Sequence, residues 1–226
     1  MSKNALIVWG GWAGHEPQKV AEVFERILKQ HAFEVEVSSS LESFSDAGQL
    51  SKLDLIVPCW TMGEIKREQS QAVCEAVKNG VGLGGCHGGM CDAFRSNTEW
   101  QFMTGGQWVA HPGNDKIAYT VKMTGNHWIT EGQRDFEIVT EQYYMHTDPA
   151  NKVLATTRFP VADGPHVPNG EVEMPVTWVK QYGNGRVFYC SIGHVAKTVE
   201  EPPVLAMCTR GLLWAAHAES AISIGA

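Results

Sequence analysis

Val81-Gly82-Leu83-Gly84-Gly85-Cys86-His87-Gly88-Gly89 is the stretch on which the reading of this chain turns. It opens as a short apolar run over 81–84, the pattern of a buried strand, and continues into glycines that no regular element favours. Glycines on either side of one residue permit a strained strand-to-helix turn that presents the side chain outward, the logic of a nucleophile elbow. Two registers are open. Gly84-x-Cys86-x-Gly88 presents a thiol, which needs a nearby base to become a thiolate nucleophile. Gly85-x-His87-x-Gly89 presents an imidazole, suited to metal ligation or to general acid–base work. A turn chosen only for close packing is the bland alternative.

Upstream of this stretch, strand and helix alternate. Residues 5–9 (Ala-Leu-Ile-Val-Trp) read as a buried strand, and 10–15 as a loop ending in His15. Pro17 suits the first turn of a helix, where its missing N–H is not needed, and Val20, Val23, Phe24, Ile27 and Leu28 make that helix's apolar face. Phe33, Val35 and Val37 alternate with Glu34 and Glu36, the pattern of a strand near a sheet edge. Residues 53–57 read as a third strand closed by Pro58, and Ile65 to Val77 as a helix ended by Asn79-Gly80. Such alternation implies right-handed crossovers and a parallel sheet. Downstream the rhythm changes: 116–123, 136–145 and 153–158 read as strands with few helices between them. Residues 176–180 and 186–192 flank the hairpin signal Tyr182-Gly-Asn-Gly185, and a last helix starts near Pro203. Residues 160–175, rich in Pro and Gly, read as a long surface loop, either a lid or a solvated insertion. The expected fold is a single α/β domain over 1–226.

The chain has 226 residues, 43% hydrophobic and 19% charged, and a formal net charge of −7. That charge, without any Lys-Arg run, argues against nucleic-acid and anionic-membrane partners. No stretch approaches the roughly 18 apolar residues of a membrane span. The six cysteines form no CxxC pair and, without a secretion signal, read as reduced thiols in the cytosol.

In an open parallel sheet, ligands bind beyond the carboxyl ends of the strands. His15, His87 and His194 follow the first, fourth and last strands, so their imidazoles are expected to converge on one rim. Glu141 and Tyr143, two apart on an expected strand, share a face. His111 lies in a loop able to reach the same place. His146 is expected to face away, while His127 and His166 read as surface loop residues. Trp12, Trp60, Trp100, Trp108 and Trp128 lie in or beside loops, where indoles often line small-molecule pockets.

Several motifs recur in order: Gly11-Trp12-x-Gly14-His15, Gly85-Cys86-His87-Gly88-Gly89, Gly105-Gly-Gln-x-x-Ala-His111-Pro112, Glu141-Gln-Tyr143, Tyr182-Gly-Asn-Gly-Arg186-Val-Phe-Tyr189-x-x-x-Gly193-His194 and Leu213-Trp214-Ala215. Over residues 5–216 this set resembles the ThuA-like, or trehalose-utilisation, family. The resemblance implies the fold of class I glutamine amidotransferases, a flavodoxin-like, mostly parallel sheet with helices on both faces, here with extra strands in the second half. It places histidine at the elbow, whereas the amidotransferases carry cysteine there. Many family members have an aliphatic residue where this chain has Cys86, a departure that keeps a thiol mechanism open. The family's association with disaccharide and sugar catabolism implies a small carbohydrate substrate.

Three hypotheses follow. The first is a metal-dependent enzyme acting on a disaccharide or keto-sugar derivative. Zinc is the expected ion, His15, His87 and His194 are its ligands, and His111 is the next candidate. Glu141 then serves as ligand or base, Tyr143 as acid or donor, and Trp12, Trp60, Trp108 and His111 line the substrate. The second is a metal-free hydrolase of amidotransferase type using Cys86 with His194 or His111. The third is a non-catalytic sugar-binding or regulatory module. A homo-oligomer is compatible with each, since loop tryptophans also suit an interface.

Overall fold

The computed structural model describes residues 2–221. Its first half runs β1 (Lys3–Gly11), α1 (Pro17–Gln30), β2 (Phe33–Ser38), α2 (Ala47–Leu50), β3 (Leu55–Thr61), α3 (Arg67–Lys78), β4 (Gly82–Cys86), α4 (Gly88–Cys91) and α5 (Thr98–Thr104). The second half is mostly strands: β5 (Gly106–Ala110), β6 (Ile117–Met123), β7 (Phe136–Thr140), β8 (Tyr144–Thr147), β9 (Lys152–Phe159), β10 (Val172–Tyr182) and β11 (Gly185–Cys190), closed by α6 (Ala196–Val199) and α7 (Pro202–Ala215). Nine strands form one sheet in the order β2-β1-β3-β4-β11-β10-β9-β6-β7, and β5 pairs with β8 in a small second sheet.

The large sheet has two halves. β2, β1, β3, β4 and β11 are mutually parallel, in the 2-1-3-4-5 order of flavodoxin-like folds. From β11 onward every pairing is antiparallel. Alternation along β1 sends Ala5 and Ile7 into one apolar layer with α1 and α7, and Leu6 and Val8 into the opposite layer with α3 and α5. Both faces of the parallel half are therefore covered by helices, which leaves its carboxyl rim as the place where loops meet. Among the described residues no helix is long and apolar enough to cross a membrane.

Several boundaries differ from the sequence reading, each for a physical reason. β1 continues through Gly10 and Gly11, which pair with Trp60 and Thr61. β3 does not stop at Pro58 but runs through it to Thr61. Its ladder with β4 covers only Leu55–Gly82 and Ile56–Leu83, so the proline's missing N–H falls where that neighbour has already diverged. The 136–145 run is two strands, not one. β7 belongs to the large sheet and β8 to the small one, and 141–143 crosses between them. The proline-rich loop ends at 171, because β10 begins at Val172 and pairs it with Phe159. His166 is no surface residue: it is buried against Tyr144 and Phe159. Trp100 likewise sits in the core on α5, its indole N–H donating to the Met90 carbonyl (2.9 Å).

Candidate metal centre

The elbow is built on histidine. His87 follows β4 with φ 51° and ψ −138°, a strained conformation that costs a non-glycine residue about 1–3 kcal/mol. Its N–H donates to the Cys190 carbonyl (2.7 Å), and the Tyr189 hydroxyl donates to its carbonyl (3.0 Å), so the neighbouring strand holds the turn from both sides. Gly88 leaves room for the next loop: a Cβ there would lie 2.7 Å from the His15 imidazole and 2.8 Å from Thr61 Oγ1. Cys86 is the last residue of β4, fully enclosed, with its sulfur 2.6 Å from where a Gly193 Cβ would stand. Burial pushes its thiol well up, with Cys59 and Cys190 adding to the effect. The thiol register is therefore not the one the turn adopts.

Three loops of the parallel half bring His15, His87 and His194 together, and the crossing segment after β7 brings Glu141 to meet them. One ligand atom from each of the four lies within 4.8 Å of all the others. A single carboxylate oxygen, Glu141 Oε2, faces His87 Nε2 at 3.0 Å, His194 Nδ1 at 3.3 Å and His15 Nε2 at 3.8 Å. The backs of two rings are fixed. His87 Nδ1 donates to the Ser191 carbonyl (2.8 Å), and His15 Nδ1 pairs with Thr61 Oγ1 (2.8 Å). The Tyr119 hydroxyl donates to the Glu141 carbonyl (3.1 Å), fixing the carboxylate's backbone.

The proton count matters here. A carbonyl can only accept, so Nδ1 of His87 carries the proton and Nε2 of the neutral ring is a lone pair. Burial lowers the His87 pKa, despite the opposing pull of Glu141, and favours that neutral ring. Burial alone would raise the Glu141 carboxyl, but His194 and His87 outweigh it and hold it well below the usual carboxylate range. A lone pair and an ionised oxygen then stand 3.0 Å apart and repel unless something positive lies between them. Burial, with His87 beside it, lowers His15 to about 3, while the Glu141 carboxylate facing it at 3.3 Å raises His194. His194 Nδ1 is buried without a geometrically sound hydrogen bond. Imidazoles with fixed backs and one carboxylate are the donor set of a catalytic zinc site, so these residues fit a divalent cation. The space bordered by His15, Thr61, Cys86 and His87 is about 10 Å³, room for one water or ion, whereas a far larger cavity of about 690 Å³ lies at the amino ends of β1 and β2, away from any such cluster.

The remaining candidates divide. Tyr143 stacks on His87 (3.9 Å between centroids), and His111 directs Nδ1 at Glu141 Oε1 from 3.8 Å. Trp108 lies 5.4 Å from His111 and 6.2 Å from Tyr143. Trp12, 46% exposed, meets His15 edge-on at 4.7 Å and stands at the mouth. Trp60 is packed across Gly10 and Gly63, its side chain on the opposite face of β3 from Thr61 and in the apolar layer of α3 and α5. His146 is exposed on β8. Sequence reasoning missed Thr61, Ser191, Asp92 and Arg95. Thr61 ends a parallel strand, so the carboxyl-end rule that marked the histidines would have found it had β3 been carried past Pro58.

Known structures share this architecture. A ThuA-like protein from Parabacteroides merdae superposes with a TM-score of 0.74 at 18% identity, over 96% of this chain and 90% of that one. Another from Bacteroides uniformis gives 0.74 at 16%, over 93% and 91%. A β-galactosidase from Bacillus circulans sp. alkalophilus contains the fold as one part: the match covers 98% of this chain but 31% of that one, with a TM-score of 0.61 at 14% identity. No curated protein matches the sequence. The family model described as ThuA, trehalose utilisation, matches residues 4–215, and the chain belongs to that family.

Proposed function

We propose that this protein is a metal-dependent enzyme acting on a disaccharide or keto-sugar derivative, with His15, His87, His194 and Glu141 holding one divalent ion, zinc by preference. The observation that carries the reading is the meeting of three imidazole nitrogens on Glu141 Oε2 at 3.0, 3.3 and 3.8 Å. A divalent ion in such a site polarises a carbonyl or makes bound water acidic. Around it, the Ser191 carbonyl fixes the His87 tautomer, and the Thr61 hydroxyl holds the His15 ring facing Glu141. His111, outside the four and 32% exposed, is placed to hold or move a proton at Nδ1. Half-buried Trp108 supplies flat apolar surface for the C–H face of a sugar, with Trp12 at the entrance, while Tyr143, buried, backs the His87 ring. The substrate class rests on the family's description and on the sugar hydrolase that contains this fold. Six free, buried cysteines support a reducing compartment, the cytosol.

Purified protein is expected to contain or take up one zinc per chain by elemental analysis, and to release it to a chelator. A panel of disaccharides and keto-sugars, screened by thermal shift with and without zinc, is expected to show stabilisation that depends on the metal. Absence of stoichiometric metal, with ligand responses indifferent to chelator, rejects the reading.

A further inference from the structure

Beyond the histidine–carboxylate cluster, the same rim holds a second charged group. Asp92, 3% exposed, follows α4. Arg95, three residues on, grips it as a fork: Nε donates to Oδ1 (2.5 Å) and Nη2 to Oδ2 (3.0 Å). The guanidinium lies over the Trp108 ring, with Cζ 4.4 Å from the centroid. Trp108 neighbours His111 and Tyr143, and Tyr143 stacks on His87. One continuous wall thus runs from the cluster through Tyr143 and Trp108 out to Arg95.

The hydrogen-bond inventory of this wall is lopsided. Asp92 spends both oxygens on Arg95. A guanidinium has five N–H donors. Two are used, and among the described residues the other three meet no acceptor, on a side chain 45% exposed. Trp108 Nε1, a donor only, is buried without a partner. The outer end of the wall, Arg95 and Trp108, therefore offers donors without acceptors. An arginine pinned on one edge by a buried carboxylate and on its face by an indole is pre-organised to present its free edge to a planar oxyanion.

We propose that Arg95 and Trp108 form a specificity subsite for an oxyanion, a carboxylate or a phosphate, carried by the sugar substrate. This rests on the reading of the rim as a sugar-binding site and narrows its substrate to an acidic or phosphorylated sugar derivative. Asp92 is a positioning residue that holds the fork; Arg95 touches the substrate.

The test is calorimetric titration of the full chain, with one equivalent of zinc added, using glucuronate, glucose 6-phosphate and glucose. One of the two anions is expected to bind about tenfold or more tightly than glucose, the worth of one charge-assisted fork. Whichever anion wins identifies carboxylate or phosphate. Arg95→Lys, which keeps the charge and loses the fork, is expected to bring the preference within about threefold while zinc affinity stays unchanged. Trp108→Phe, which keeps a ring and removes Nε1–H, is expected to weaken anion binding without altering zinc. Glucose binding as tightly as both anions, no anion binding at all, or a preference that survives Arg95→Lys overturns the proposal. A zinc titration keeps the two readings apart. An Arg95-dependent anion preference in a protein that binds no zinc supports the subsite and removes the metal. Stoichiometric zinc without any preference does the reverse.

Discussion

The two halves of the large sheet contribute to the site by different means. The parallel half delivers His15, His87 and His194 by one rule: each follows the carboxyl end of a strand, and parallel strands put those ends on one rim. The antiparallel half obeys no such rule. It delivers Glu141 from the break where β7 leaves the large sheet and β8 joins the small one. The parallel half thus supplies three imidazoles on a rigid frame, while the antiparallel half supplies the carboxylate they face. If that division is right, losing the carboxylate must do more harm than losing any one support beneath an imidazole.

The sharpest way to break the comparison is Glu141→Gln, which keeps the shape and removes the charge. Zinc affinity, measured by competition with a chromogenic chelator, is expected to fall by more than the roughly 10–100-fold typical of an outer-shell loss. A fall of less than tenfold would make Glu141 a bystander. Thr61→Val tests the supporting layer of the parallel half. It removes the hydroxyl that pairs with His15 Nδ1 at 2.8 Å while preserving the branched shape. The expected loss is about 10–100-fold, smaller than for Glu141. Equal losses at the two positions would erase the distinction between ligand and support.

A gentler effect is expected from pH in the metal-free protein. His15 titrates at about 3 when folded, against an ordinary value of 6.5, chiefly because it is buried. Between those values the unfolded chain binds a proton that the folded chain refuses, so stability falls as pH drops from 6.5 towards 3. His87, also lowered by burial, pulls the same way. His194, raised by the Glu141 carboxylate beside it, acts oppositely, with its contribution full below 6.5 and lost as pH rises through its folded value. Glu141 stabilises the fold above the ordinary carboxylate range, and that contribution is lost as pH falls towards its depressed folded value. Tm is therefore expected to decline on acidification below 6.5, with His15 accounting for roughly 3–5 °C per pH unit. His15→Asn should flatten that slope in a calorimetric scan. A slope unchanged by the substitution would mean that His15 is not the buried neutral ring described here.

What the sequence disclosed follows from the same contrast. The carboxyl-end rule needs only strand order, and strand order was visible in the alternation of apolar runs with helical faces. His15, His87 and His194 were therefore legible. Glu141 and Tyr143 were picked out, but on the premise of one strand over 136–145. In the structure their backbone belongs to no strand, and Gln142 between them is buried, bonding to Thr157 Oγ1 (2.8 Å) and the Arg158 carbonyl (3.0 Å). A residue leaving one sheet for another has no local periodicity to betray it, because its pairing depends on β5, more than thirty positions earlier. Trp60 misled for the complementary reason. Its position near a strand end was right, but a period of two sends it to the far face from Thr61. The Asp92–Arg95 fork lay in plain sight as an i, i+3 pair, yet its meaning depends on Trp108 arriving from another element.

The smallest effect is expected at the residue that most divided the sequence reading. Cys86 and His87 are neighbours, and the glycine pattern admits either as the presented side chain. The backbone presents His87, leaving Cys86 at the end of β4 with its sulfur packed under Gly193. A buried thiol whose pKa is pushed up by its surroundings is a poor nucleophile and a poor ligand. Cys86→Ala should therefore behave as a core truncation, costing about 1 kcal/mol of stability and leaving zinc affinity and any metal-dependent turnover within about twofold of wild type. Iodoacetamide should label Cys86 no faster than Cys208, which is equally enclosed. Rapid, selective alkylation of Cys86, or loss of turnover in Cys86→Ala with zinc still bound, would transfer the chemistry from the imidazole rim to the thiol beneath it. It would also mean that the two elbow registers exchange in solution, because the conformation described here turns His87 outward and leaves Cys86 3% exposed, its sulfur beneath Gly193.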